Sequence, residues 1–333
     1  MAGAAGGPTL VIQTAFLGDV VLTTPLLQAL AAEHGPVDVV TTPGAAALLE
    51  ADPAVRRVIR YDKHGEARGL RGIVVLAREL RATGYRRAYL PHRSWRSAAI
   101  AWLAGITERI GFDDAPARLL YTTRRRRAGA HESDRLLALS GAAGYPVSVG
   151  LSGDDEASAE AWLIARDVPR HFVAMAPGSI WGTKRWGRFA ELAAAIEHFV
   201  VVVGGPEDRD LGREIVAAAS GRAVNAAGAL PLRAAAAVIA RAGVLVTNDS
   251  APLHLAQAVG TPTIAVFGPT VKEFGFGPRG PDDLLIDAGA LPCRPCSTHG
   301  PQRCPLGHHR CMTDIAVEPV ALATDRIMTR HHE

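Results

Sequence analysis

Aromatic residues are scarce in this chain, 5% of 333 positions, although 48% of it is hydrophobic. Its apolar mass is mostly aliphatic, which suits a helix-rich α/β protein and excludes a disordered one. No apolar run reaches the roughly 20 residues needed to span a bilayer. The opening MAGAAGGPTL lacks a positive leader and a long apolar core, so it does not read as a signal peptide. A cytoplasmic protein is expected. Cysteine is limited to four residues, and stable disulfides are not expected in a reducing compartment. The G-x-G-x-x-G fingerprint is missing from the turn after the first strand, which argues against a nicotinamide-dependent dehydrogenase. No Asp-x-Asp pair stands out as a metal clamp.

Acidic charge is the minority in the first half. Residues 1–150 hold 19 Lys and Arg against 13 Asp and Glu, a balance of +6, whereas the remainder holds 17 against 20. Arg124 to Arg127 form the densest cluster. A basic half fits an anionic acceptor or an acidic membrane surface, and a solvated basic face is the plainer alternative. No nucleic-acid-binding module accompanies the charge.

The most informative stretch is 243–270, GVLVTNDSAPLHLAQAVGTPTIAVFGPT. Residues 244–247 form a short β-branched run of the kind buried on both faces of a parallel sheet. Asn248, Asp249 and Ser250 follow, all helix-capping types, and Pro252 fits a first helical turn. Leu253, Leu255, Ala256 and Val259 give the helix its apolar face. Gly260 and Pro262 end it, and 263–267 reads as the next strand. A helix N-terminus thus opens at the carboxyl end of a parallel strand, where free N–H groups and the helix dipole favour phosphate. By residue type alone Asp249 could be only a cap and His254 a solvated helix residue.

This stretch resembles the C-terminal nucleotide-sugar motif of glycosyltransferase family 9, the lipopolysaccharide heptosyltransferases. Two further segments are similar to the same family, in the expected order. Phe16-Leu17-Gly18-Asp19-Val20-Val21-Leu22-Thr23-Thr24-Pro25 resembles its N-terminal motif, in which the aspartate after glycine is taken as general base; the role falls on Asp19. Capping is the plainer reading of Asp19. Pro177-Gly178-Ser179 with Lys184-Arg185-Trp186 resembles the family's PG(A/S)…KRW segment. There the lysine contacts the donor phosphates, which implies Lys184 as phosphate cation and Ser179 as a hydrogen-bond donor. A family glutamate near the nucleotide ribose points to Glu207. Ser250, Ala251 and the N–H groups after Asp249 would hold the diphosphate, with Asp249 and His254 organising the donor.

Elsewhere the chain alternates strands (9–14, 37–41, 55–61, 85–90, 108–112) with helices (19–32, 44–50, 70–83, 94–104), the rhythm of a doubly wound parallel sheet. His92 and Arg93, at the end of the 85–90 strand, are acceptor-side candidates. Residues 131–139 suit a helix and 140–153 a linker. The second half repeats the rhythm from 172–176 onward and ends in an amphipathic helix over 317–329. The expected domains are an acceptor-binding Rossmann-like domain (1–150), a nucleotide-sugar-binding one (151–315), and a C-terminal helix (316–333). In folds of this type that helix commonly crosses back onto the N-terminal domain. The resemblance implies the α/β GT-B architecture, two doubly wound domains facing across a cleft.

CRPCSTHGPQRCPLGHHRC carries Cys293, Cys296, Cys304 and Cys311. Four thiols could bind a structural zinc, but the second pair is spaced C-x6-C rather than C-x2-C, and reduced packed thiols are the alternative. CPLGHHRCM is similar to the heptosyltransferase II subgroup.

The resemblance implies inverting transfer of heptose from ADP-heptose to the lipopolysaccharide inner core. A lysine and a helix terminus can neutralise the departing diphosphate, so no catalytic metal is required. Contact with the inner-membrane surface would be peripheral. The alternatives are another sugar-nucleotide enzyme, such as an epimerase or a different sugar transferase, or a non-catalytic nucleotide-binding scaffold. A scaffold would need neither Asp19 nor Lys184.

Overall fold

The computed structural model describes residues 7–330. Contacts divide it into two units, one ending at Gly150 and the other beginning at Leu151.

The first unit runs β1 (Thr9–Ile12), α1 (Leu17–His34), β2 (Val37–Thr41), α2 (Pro43–Ala46), β3 (Val55–Arg60), α3 (Gly69–Thr83), β4 (Arg87–Leu90), α4 (Trp95–Leu103), β5 (Glu108–Phe112), β6 (Thr123–Arg125) and α5 (Glu132–Leu137). Its strands are all parallel, in the order β3-β2-β1-β4-β5-β6. The chain starts in the middle, winds to one edge and returns to build the other, so the switch point lies between β1 and β4. Helix α1 is buried on nearly every side, because α5 packs against it. Pro25 interrupts its hydrogen-bond ladder. The Thr24 hydroxyl donates to the Val21 carbonyl at 2.9 Å, supplying the partner that Pro25 cannot.

The second unit contains α6 (Gly153–Ile164), β7 (Phe172–Ala176), α7 (Phe189–Ala195), β8 (Phe199–Val202), α8 (Arg209–Ala218), β9 (Ala223–Asn225), α9 (Leu232–Arg241), β10 (Val244–Asn248), α10 (Ala251–Val259), β11 (Thr263–Phe267), β12 (Leu284–Asp287), α11 (Arg310–Thr313) and α12 (Val317–Arg330). Its sheet, again parallel, has the order β12-β11-β10-β7-β8-β9. That is the same winding as the first unit, with the switch point between β7 and β10. β7 and β10 are buried along their whole length, as strands covered on both faces must be. Helix α12 packs within its own unit, against α7, β10, β11 and β12. Gly243 leaves room for it: a Cβ there would come within 2.6 Å of the Met328 sulfur.

Several elements differ from the sequence expectation. The helix expected over 44–50 is a single turn, Pro43–Ala46. β6 forms inside the arginine cluster, where charge masks the strand pattern. α6 begins in the expected linker, because Ser152 and Asp155 make a reciprocal capping box rather than a flexible joint. α8 was hidden by its charge, burying little beyond Gly212 and Ile215.

Asn248 fastens the second switch point. Fully buried at the end of β10, it donates to the Pro177 carbonyl after β7 at 2.8 Å and accepts from the Trp186 N–H at 3.0 Å. Asn248→Ala strips two buried backbone groups of their partners and is expected to cost about 2–4 kcal/mol, read as a lowered urea midpoint with unchanged m-value.

Candidate functional site

At the first unit's switch point, β1 ends in Gln13 and Thr14 and α1 opens after Phe16. Asp19 sits in the first helical turn, half-buried, and its Oδ2 accepts from the Phe16 N–H at 3.2 Å. The capping role that its residue type suggests is therefore real, and it also fixes the carboxylate's orientation. His92, just beyond β4, turns back to β1, its Nδ1 3.2 Å from the Thr14 hydroxyl. Lys63, beyond β3, donates to the Thr14 carbonyl at 2.5 Å. Burial and the nearby Arg96 depress the Lys63 pKa, while Asp19 raises it. Burial, with Lys63 adding to it, pushes His92 down to about 4, so it is neutral near pH 7. Asp19, Lys63, His92 and Arg96 thus form one polar cluster. Arg93 points elsewhere: its guanidinium bonds the Asp114 carbonyl at 3.1 Å and pairs with that carboxylate at 3.4 Å. Lys63 and Arg96 escaped the sequence reading because both lie outside the motif, one on the loop after β3 and the other in the first turn of α4.

The second unit's switch point holds a tighter constellation. Lys184, in a 3-10 turn at Gly182–Lys184, places its Nζ 2.6 Å from Asp249 Oδ2. Both side chains are nearly buried, at 11% and 7% exposure, so neither spends its charge on bulk water. Thr270, after β11, donates to the same carboxylate oxygen at 2.6 Å. The Arg294 guanidinium in turn holds the Thr270 carbonyl through two nitrogens, at 2.9 and 3.1 Å, and the Asp287 carboxylate at 2.8 Å.

His254 projects from the first turn of α10 into the same region and is buried, not solvated. Burial pushes its pKa down to about 4, with Asp249 working in the opposite direction. Its Nδ1 makes no hydrogen bond of normal geometry among the described residues, although Gln257 lies near enough to oppose the drop in its pKa. Such an orphan is costly in a finished core and is expected where a ligand completes the site. Ser250 precedes the helix without a side-chain capping bond, and Ala251 is its first residue. Ser179 lies at the mouth of β7, where its hydroxyl accepts from the Trp181 N–H at 3.2 Å.

Glu207 is exposed on a turn beyond β8. Its neighbour Asp208 is the buried carboxylate, accepting from the Gly205 N–H at 3.1 Å. Gly178 and Gly204 exist to admit it: a Cβ at either would fall within 2.2 or 2.6 Å of its oxygens. Burial raises the Asp208 pKa.

A structural zinc is not shown in the cysteine-rich segment. Cys293, Cys296, Cys304 and Cys311 are free thiols, and among the described residues no group of three or more His, Cys, Asp or Glu could hold a metal ion. Burial is the main force pushing the Cys311 thiol up to about 11, keeping it protonated. The segment instead grips the Lys184 turn. Gln302 accepts from the Gly182 N–H at 3.1 Å and donates to the Ile180 carbonyl at 2.9 Å. Thr183 donates to the Pro301 carbonyl at 2.5 Å, and His309 Nε2 lies 2.8 Å from the Thr183 carbonyl. His299 stacks on Trp181 with ring centroids 5.9 Å apart. It also feels the fields of Lys184 and Asp249, although burial dominates its lowered pKa. No short-range pattern announces this role, because its contacts join segments about 120 residues apart.

Residues 73–303 match glycosyltransferase family 9 (heptosyltransferase). Lipopolysaccharide heptosyltransferase 2 of Escherichia coli K12 is 27% identical over 293 residues, covering 80% of this chain and 84% of that protein. Lipopolysaccharide heptosyltransferase 1 of Pseudomonas aeruginosa is 30% identical over 316 residues, covering 86% and 85%. Among solved structures, E. coli ADP-heptose lipopolysaccharide heptosyltransferase II superposes with a TM-score of 0.79 at 24% identity, covering 98% of this chain and all of that one. The family 9 glycosyltransferase of Veillonella parvula gives 0.84 at 23% identity, covering 97% and 98%. The fold is therefore the α/β GT-B type, two Rossmann-like units. With the family match spanning more than two thirds of its length, the chain belongs to glycosyltransferase family 9, the heptosyltransferases, and is an enzyme of glycosyl transfer.

Proposed function

We propose that the protein transfers a heptose from ADP-heptose to the inner core of lipopolysaccharide, with inversion at the anomeric carbon. The observation that carries this reading is the buried Lys184–Asp249 pair beside the orphaned Nδ1 of His254, at the open end of β7 and β10. Those groups suit a nucleoside diphosphate. Lys184 has further N–H donors beyond the one facing Asp249, and the neutral, buried His254 retains one ring N–H that can donate to a phosphate or sugar oxygen. Ser179, Ser250 and the backbone at Ala251 are the remaining candidates for the phosphates, and Glu207 for the ribose. The relatives named above, two lipopolysaccharide heptosyltransferases, support heptose and lipopolysaccharide as the sugar and acceptor.

In the proposed reaction Asp19 takes the proton of the acceptor hydroxyl. That oxygen bonds to the anomeric carbon, and the bond from that carbon to the β-phosphate oxygen breaks. The electron pair leaves with ADP, whose added charge is met by Lys184 and the N–H groups of α10. His92, Lys63 and Arg96 would receive the anionic parts of the acceptor, with Arg93 further out. The reaction would take place in the cytoplasm, at the inner face of the membrane that holds the acceptor. No helix among the described residues is long and apolar enough to cross that membrane.

Incubation with ADP-heptose in EDTA, with and without a heptose-deficient lipopolysaccharide core, tests the reading through ADP release. Acceptor-dependent release is expected; tight ADP binding with no release on any core acceptor would move the sugar or acceptor elsewhere. Asp19→Asn should lower turnover by about 10²–10⁴-fold with ADP affinity nearly unchanged. Near-normal turnover would remove Asp19 as base. Lys184→Ala should weaken ADP binding by roughly 10–100-fold and lower turnover as well. Isothermal titration giving an unchanged ADP affinity would reassign it.

His254 also leaves a mark on acid stability. Its folded pKa of about 4 lies below the unfolded value of roughly 6.5. The unfolded chain therefore binds the proton first, and stability falls as pH drops from 6.5 towards 4, by up to about 3 kcal/mol from this residue. Chemical unfolding across that window should show a shallower fall for His254→Leu than for the wild type.

A further inference from the structure

We propose that the α3–α4 face of the N-terminal unit is a docking surface for an anionic lipid bilayer, with Trp95 and Trp102 as its interfacial anchors. Each of these tryptophans is 54% exposed. They stand seven residues apart on α4, two helical turns, so both rise from one stripe about 10 Å long. The other three tryptophans are occupied: Trp162 and Trp186 are buried, and Trp181 stacks on His299. The turn at Arg118–Leu120 packs against α4 and presents Leu119, 75% exposed. α3 also packs against α4 and presents Leu70 and Val74, one turn apart.

Scattered exposed apolar residues are ordinary. Two tryptophans on one stripe, on a helix whose packing neighbours also present exposed aliphatics, are not scattered. Tryptophan's amphipathic ring favours the headgroup level of a bilayer over either bulk phase.

Charge selects the partner. Residues 68–103 hold eight arginines, one glutamate, and no lysine or aspartate. The glutamate, Glu79, is itself paired with Arg57 at 2.8 Å. Arg71 and Arg78 repeat the seven-residue spacing along α3, and both are exposed. A second copy of this chain would bring like charge against like. A leaflet of anionic lipid brings the opposite charge, and arginine stems can lie along the surface while their heads meet phosphate. α4 also joins this face to the catalytic cluster, since Arg96 in its first turn neighbours Lys63. Docking on this face would hold the acceptor side of the enzyme where a lipid-anchored glycan is presented. In that respect the inference rests on the acceptor class proposed above.

The test measures vesicle binding without donor or acceptor, so that it stands apart from transfer. Full-length protein is sedimented with vesicles of phosphatidylcholine alone or mixed with phosphatidylglycerol, and tryptophan emission is recorded. Binding to the mixed vesicles only, weakened by salt and accompanied by a blue shift, is expected. Trp95→Ala/Trp102→Ala should abolish the blue shift and weaken binding by at least about tenfold. Arg71→Glu/Arg78→Glu, which leaves the tryptophans in place, should weaken binding by a similar factor. Both variants should keep wild-type unfolding midpoints, and both should transfer normally to a delipidated soluble core while slowing on acceptor embedded in vesicles. Equal binding to the two vesicle types, no binding, or binding untouched by either variant overturns the surface. Loss of binding with transfer intact, and transfer absent with binding intact, separate a failure of the surface from a failure of the proposed reaction.

Discussion

Lys184 and Asp249 reach each other from two loops that only the parallel pairing of β7 with β10 brings side by side. Two charges removed from water are costly, and a pair of this kind persists only when its surroundings hold both partners in good geometry. Here they do. Asn248 ties the end of β10 to the chain leaving β7, Thr270 bonds the Asp249 carboxylate, and Arg294 anchors Thr270. On the lysine side, Gln302, Pro301 and His309 grip the turn that carries it. The ammonium is thereby held in place before any ligand arrives, and little reorganisation remains for the step in which diphosphate charge develops.

That arrangement gives the cysteine-rich segment a bracing role. Its backbone and its non-thiol side chains serve the Lys184 turn, while Arg294 serves Asp249. Between them they brace both halves of the ion pair from one stretch of chain. Of its thiols, Cys296 donates to the Cys293 carbonyl at 3.3 Å and Cys304 accepts from the His309 N–H at 3.4 Å.

The two units use one winding for different chemistry. In the first, the switch point gathers a carboxylate, a lysine, an arginine and a neutral histidine around the end of β1. In the second, it gathers a cation, its counter-ion and a helix N-terminus. Sheet order supplies the location in both cases, and loop residues supply the chemistry.

Composition and period already determined much of this protein. Buried strands declare themselves as short apolar runs, and 172–176 and 263–267 fall where that pattern puts them. The three family segments also marked Asp19, Lys184 and the 248–254 turn, because short-range spacing is enough to encode a strand, a turn and a helix start. Tertiary structure decided the rest. It buried His254, which residue type alone could leave solvated, and turned Arg93 away to Asp114. It also brought Lys63 and Arg96 to Asp19, and set the backbone and polar side chains of the cysteine-rich segment as a brace around Lys184. Each of these outcomes depends on segments far apart in the chain meeting at the edge of a sheet. Hydrophobic periodicity specifies which face of an element is buried, but not which distant loop will lie against it.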